Sequence, residues 1–334
     1  MYVLKNGIRA KKITFLTENP PQIDCNADAE IRMTMSGSFA PDPDVDFLKD
    51  ELQPVVTIDG QERSIGVFRP ATVREVVRGT KKSLDVEAYD RAVLLSWGKV
   101  EDQTVIAAGR TYESVITSYL TAVGLSLISF TPTAATLQTS RIWPVGTSYL
   151  EIVNELLDEI SYEHVWFDGD GYARLEPYVN AATSAPDFTY GDNAFRLVVN
   201  DYQKETDIYS KPNVFIVVMS NIEDTPMVAT AENNSLMSEL STVRRGIRIP
   251  EVTYVDNIAG QDELQAYADM LRNRGMGSAE TVSISTAIQP GHGVGDVVAI
   301  TDPRYAGVYR EVGWEIDFRP GPSMHHTLRR VIYA

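Results

Sequence analysis

The hydrophobic period changes twice along this chain, and that change limits the folds open to it. Up to about residue 104 the apolar residues come in short strand-forming runs separated by turn chemistry: Val3-Leu4, Ile8, Ile13 to Leu16, Ala29 to Met35, Val55 to Ile58, Ser64 to Phe68 and Ser83 to Ala88. Asp59-Gly60 stands between two of these runs and predicts a hairpin, because glycine takes a positive φ without steric cost. The acidic stretch Pro41 to Asp46 reads as a loop. Strands this short and closely spaced suggest a small barrel or sandwich.

From about residue 105 the period becomes helical. Tyr112, Val115, Ile116, Tyr119, Leu120 and Val123 fall on one helix face, closed by Gly124. Ser148 and Glu151 have capping-box spacing ahead of the apolar stripe Leu150, Val153, Leu157 and Ile160. His164 to Phe167, Asp168-Gly169-Asp170-Gly171 and Tyr172 to Glu176 then read as a hairpin, so residues 105–194 form an α+β unit. Strand patterns return at Phe195 to Val199 and Asn213 to Met219, and again from Thr281 to the end. Between them lie a polar stretch and a helix from about Asp262 to Arg274, with Gly275 as its expected stop. The fold class is α+β, mainly β, with an insertion in the last β region.

The length of 334 residues allows two or three domains. A formal charge of −16 repels phosphate and anionic lipid, which argues against a sequence-reading nucleic-acid binder. One cysteine, Cys25, permits neither an intrachain disulfide nor a thiolate zinc site and fits a reducing compartment. The N-terminus lacks the apolar core of a secretory signal, and no run reaches the 18 or more apolar residues of a membrane span, so a soluble protein without a membrane anchor is expected.

The chemistry-bearing residues form no motif. His164, His292, His325 and His326 lack metal-ligand spacing, and adjacent His325 and His326 on a strand point to opposite faces, so structural or surface roles are expected. Counted as an EF-hand from Asp168, the fifth and twelfth positions are Tyr172 and Val179, and a valine cannot ligate calcium. Gly291 to Asp296 resembles a phosphate loop but leads into a strand, which predicts a turn. Cys25 has no histidine near it in sequence, and pairs such as Asp158-Glu159 or Asp201 and Glu205 carry little information among 46 acidic residues. The basic runs Arg244-Arg245-Gly246-Ile247-Arg248 and Arg329-Arg330 read as solvated or interface residues. No catalytic, cofactor-binding or metal residue is assigned.

Arg141 to Thr147, then Leu150, Ile152, Asn154, Leu156-Leu157, Ile160, Tyr162, Asp168, Gly171 and Pro177-Tyr178 resemble the middle domain of phage tail baseplate hub proteins. Lys211 to Phe215, Pro290 to Val298 and Gly307 to Trp314 are similar to the closing barrel of that family, and the element order matches over almost the whole chain. The resemblance implies a first β-barrel hub domain at 1–104, the α+β middle domain at 105–194, a second similar barrel from 195–221 and 281–334, and an inserted α+β domain at 222–280. It further implies a homotrimeric ring of six barrels that adapts a sixfold tail tube to a threefold tip and surrounds a DNA exit channel. The implied partners are a distal tail or tail-tube protein above and a spike or fibre protein below, with double-stranded DNA passing without specific binding. The implied location is the virion tail baseplate, after synthesis in the host cytoplasm. Many such chains continue into a peptidase, lysozyme or fibre region, whereas this sequence stops at Ala334 with a barrel strand. The expected protein is not an enzyme and has no cofactor. The alternatives are a tail-tip cell-wall hydrolase, or a carbohydrate- or receptor-binding module using Trp143, Trp166 and Trp314.

Overall fold

An 11-residue strand near the C-terminus, Gly307–Asp317, organises the chain. In this computed structural model the described residues are 1–191, 198–204, 211–219, 227–255, 258, 260–276, 280–319 and 321–332. Along one edge, residues 309–317 of this strand pair antiparallel with Ser323–Arg330. Its other edge is divided: residues 307–310 pair with Val297–Ile300, and residues 313–317 pair with Gln22–Asn26. The N-terminal and C-terminal β regions are thereby joined in one 13-stranded sheet.

A bulge makes this double pairing compatible with burial. The register slips between Glu311 and Gly313, leaving Val312 as an extra residue. Buried positions therefore change parity, from Tyr309 and Glu311 before the bulge to Trp314 and Ile316 after it. On the unbulged partner, Met324, His326 and Leu328 alternate without interruption. Tyr309 and Leu328 enter a C-terminal core with Val282, Ile284, Val298 and Ile300. Trp314, Ile316 and Met324 enter an N-terminal core with Ile23, Met35, Phe39, Phe68 and Val86. The slip keeps both halves of one strand facing inward.

From Gln22–Asn26 the sheet continues through Met33–Phe39, Lys81–Asp90, Phe68–Arg78, Glu51–Gln53, Tyr2–Lys5 and Ile8–Lys12. From Ser323–Arg330 it continues through Glu280–Thr286 to Val198–Lys204, while Phe188–Tyr190 lies parallel to Val297–Ile300. The sequence reading expects two barrels. Among the described residues the strand path is open, and the two β regions share one sheet. The strand Gln22–Asn26 was missed by that reading because its QIDCN sequence hides two buried residues, Ile23 and Cys25, among polar ones.

The α+β unit behaves as its periodicity dictates. Ser148 Oγ accepts the Glu151 N–H, as the capping-box spacing predicts, and Thr111 Oγ1, not singled out from sequence, accepts that of Ser114 at the start of the other main helix. Helices Tyr112–Ala122 and Tyr149–Glu159 bury Val115, Ile116, Leu120, Leu150, Val153 and Leu157 against the short sheet of Ile128–Phe130, Ala173–Leu175 and Trp166–Phe167. The Asp168-to-Gly171 segment is the hairpin turn, closed by the Gly171 N–H to the Asp168 carbonyl at 2.9 Å. Two boundaries differ from the sequence reading. A helix not foreseen there, Ala92–Trp97, places Ala92 and Leu95 in this core ahead of residue 105, and Phe188–Tyr190 leaves the unit for the large sheet.

The insertion also starts earlier than expected. Val214–Met219, assigned by sequence to the second barrel, is the central strand between Met227–Glu232 and Pro250–Val255. Helix Gln261–Gly275 covers this small sheet, packing Leu264, Tyr267 and Ala268 on Val217, Ala229 and Ala231. Gly275 is the last helical residue rather than a left-handed stop, and a Cβ there would collide with the Phe215 ring. The expected strand residues 195–197 and barrel residues 220–221 lie outside the described residues.

The junction strand gives a direct test. A Cβ at Gly313 would stand 2.8 Å from the Cys25 carbonyl oxygen, on backbone that cannot yield without breaking the ladder. Gly313→Val is expected to cost on the order of 2 to 4 kcal/mol, read as a fall in the thermal midpoint, whereas Gly291→Ala, at an exposed position with an ordinary φ and open space for a Cβ, costs far less.

Candidate functional site

The densest polar construction lies at the bulge. Strand parity turns Glu311 inward, the same alternation turns His326 inward, and the turn at 291–296 brings in His292; all three side chains are fully buried. Glu311 Oε1 lies 2.5 Å from His326 Nδ1, and Oε2 is bonded by His292 Nδ1. The outer nitrogens are held as well, His292 Nε2 by the Tyr190 hydroxyl at 2.6 Å and His326 Nε2 by Thr286 Oγ1 at 2.8 Å. Phe188 stacks on the His292 ring with centroids 3.7 Å apart.

Proton bookkeeping constrains this chain. Thr286 donates its one hydroxyl proton to the Ala287 carbonyl at 2.8 Å, so it accepts from His326 Nε2–H. The contact between His326 Nδ1 and Glu311 then needs a further proton between them. Burial raises the Glu311 carboxyl, but the hydrogen bonds from His292 and His326 outweigh it and hold it below the usual carboxylate range. Nearby, burial pushes the Asp296 carboxyl up to about 6.

Two imidazoles and a carboxylate could in principle hold a divalent cation, and their ligand atoms all lie within 4.8 Å of one another. Two ligands on one zinc ion at about 2.0 to 2.1 Å and a tetrahedral angle stand about 3 Å apart. Nδ1 and Oε1 at 2.5 Å are closer than that, in direct hydrogen-bond contact. The cluster as folded is a closed chain running Tyr190, His292, Glu311, His326, Thr286.

A second polar node ties the units together. Glu163 of the middle unit receives Arg310 from the junction strand at 2.6 Å and Arg274 from the insertion's helix at 3.5 Å. Arg274 also reaches Asp158 at 3.2 Å, and both guanidinium groups lie over the Tyr178 ring. Burial raises the Glu163 carboxyl, and the arginines overcome it, leaving it below its ordinary value. These residues border a cleft of about 810 Å³ between the middle unit, the insertion and the C-terminal strands.

Apart from His292 and His326, which meet at Glu311, the residues weighed from sequence are dispersed. His164 is half-exposed on Asp158 at 3.0 Å, and His325 is exposed beside Ser285 and Ser323. Cys25 is buried in the N-terminal core, where burial pushes its thiol up. Glu159 binds Arg141 at 3.1 Å and accepts the Tyr112 hydroxyl at 2.8 Å, so Asp158 and Glu159 serve separate contacts. Asp201 lies on Val198–Lys204, and Glu205 lies outside the described residues. Arg248 pairs with Glu232, Arg329 with Asp28 and Arg330 with Glu280, while Arg245 donates to the Lys211 carbonyl. Trp143 and Trp314 are buried and Trp166 is partly buried. The convergence of His292, Glu311 and His326 was not read from sequence. The available signal was His326 on the apolar face of its strand, between Met324 and Leu328.

No protein-family model matches the chain, and no curated protein matches it in sequence. Solved structures do match over nearly its full length. A tail protein from Neisseria meningitidis MC58 superposes with a TM-score of 0.67 at 15% identity, over 98% of this chain and 95% of that one. The 43 kDa tail protein of prophage MuSo2 from Shewanella oneidensis gives 0.65 at 10% identity, over 98% of each chain. Prophage tail protein gp18 from Listeria monocytogenes EGD-e gives 0.59 at 14% identity, over 98% and 93%. The chain has the fold of these tail proteins.

Two measurements test the polar construction. Glu311→Gln leaves an amide between two buried imidazoles and is expected to cost on the order of 3 kcal/mol, seen as a lower thermal midpoint. Asp90 accepts the Met33 and Ala92 N–H groups at 2.9 and 2.8 Å, yet full burial pushes its carboxyl up to about 6 from 3.8. Because the folded state binds that proton more tightly, its contribution is present below pH 4 and is lost as pH rises through 6. The shift corresponds to about 3 kcal/mol. The stability of Asp90→Asn relative to the wild type should therefore improve between pH 4 and pH 7; a flat difference contradicts the assignment.

Proposed function

We propose that this chain is a structural hub of a phage or phage-like tail, a non-enzymatic component of the virion baseplate. The observation that carries the reading is the match to tail proteins over 98% of this chain, with nearly all of each matched chain used as well. A likeness at that coverage concerns the whole architecture, both β regions, the middle unit and the insertion, rather than one transferable module. The internal chemistry agrees with it. Buried polar groups are spent on holding units together: Glu163 with Arg274 and Arg310, Glu311 with two histidines. The tryptophans proposed for sugar stacking include two committed to cores, Trp143 and Trp314, which weighs against a binding module built on them.

In this reading the two β regions act as two barrel-like hub domains per subunit. Three subunits form a ring of six such domains, matching a sixfold tube above and a threefold spike or fibre below. The acidic composition, −16 per chain, suits a bore that passes double-stranded DNA without retaining it. Made in the host cytoplasm, the subunits would assemble by closed cyclic symmetry. Light scattering of the purified full chain over a range of concentrations tests this. The expected mass is three times the 37.1 kDa of one chain. A mass of one chain at all concentrations, or of two, contradicts it.

A further inference from the structure

Strands Phe68–Arg78 and Lys81–Asp90 are longer than the sheet that holds them. Met33–Phe39 pairs with the second only as far as Leu84, and Glu51–Gln53 meets the first only at Phe68. Beyond those points the ladder Val76↔Ser83, Val77↔Lys82 and Arg78↔Lys81 is a two-stranded ribbon with no third strand among the described residues. A two-stranded hairpin alone is marginally stable in water. This one has no core of its own, since Val77 is 61% exposed and Val73 39%.

The ribbon's charge is opposite to that of the chain. Residues 73–86 carry Arg74, Arg78, Lys81 and Lys82 against Glu75 and Asp85, in a protein of net charge −16. Alternation separates its faces. Val73, Glu75, Val77, Lys82, Leu84 and Val86 share one face, where Lys82 pairs with Glu75 at 2.7 Å. Arg74, Arg78 and Lys81 share the other, with Asp85 turned to the Ser38 hydroxyl at 2.5 Å. These three exposed cations have no hydrogen bond or ion pair among the described residues. Two exposed valines, Val73 and Val77, are thus backed by three exposed cations that have no partner among the described residues.

We infer that this ribbon is a docking arm, which one copy of the chain lays on the acidic surface of the next copy in the ring. Charge complementarity selects the occupant: outside the arm the chain carries more than its whole negative excess, so a second copy is an acidic partner. A head-to-tail ring requires two different surfaces on each subunit, and the basic arm would be one of them. The inference rests on the trimer reading.

Light scattering separates the two claims. The full-length variant Arg74→Glu/Arg78→Glu/Lys81→Glu is expected to keep the wild-type thermal midpoint and to run as a monomer at concentrations where the wild type is a trimer. The neutral variant Arg74→Gln/Arg78→Gln/Lys81→Gln should weaken assembly at least tenfold and lessen its dependence on salt. A wild-type trimer with both variants equally trimeric overturns the arm and leaves the ring standing. A wild-type monomer overturns both. If charge reversal lowers the thermal midpoint, the neutral variant decides the matter by the same mass measurement.

Discussion

One strand serves two cores, and the rest of the molecule depends on that. Gly307–Asp317 must present Tyr309 to one apolar cluster and Trp314 and Ile316 to another, although strand alternation would turn one set outward. The extra residue Val312 removes the conflict, and its carbonyl accepts the Ala27 N–H at 2.8 Å, which draws the N-terminal turn onto the bulge. Gly313 then lets Gln22–Asn26 approach closely. The bulge leaves Glu311 buried between the cores, and an ionised carboxylate there is tolerable only with its lone pairs satisfied. His292 and His326 meet that need, and Tyr190 and Thr286 fix the rings in turn.

The same strand links sheet to appended units. Arg310, the residue before Glu311, points away from the buried chain to Glu163, where Arg274 of the insertion also arrives. Consecutive residues of one strand thus hold the interior of the sheet and its outer attachments. Charge-assisted contacts with bidentate-capable arginines give orientation as well as attraction. These contacts fix the sheet, the middle unit and the insertion relative to one another.

Sequence legibility followed the range of the determining forces. Local signals were readable: the Asp59-Gly60 turn has both residues at positive φ, and Ser148 and Gly124 act where their chemistry places them. Pairing partners were not. Val214–Met219 reads as a barrel strand because a continuous apolar run says only that both faces are covered, not by what. Gln22–Asn26 was missed for the opposite reason, its burial being hidden in a mostly polar run. The His292, Glu311 and His326 cluster lies on three segments joined only by register, and a one-residue slip would disperse it. The overall order of β, α+β and interrupted β was legible, and so was the likeness to phage tail proteins, because element order survives where individual side chains diverge.

Electron cryo-microscopy of the purified full chain tests the central claim most directly. The account predicts threefold particles in which six β domains, two per subunit, alternate around an open bore with acidic side chains outnumbering Lys and Arg along its wall. Particles with twofold symmetry, or a ring whose two β regions do not occupy alternating equivalent positions, would contradict it.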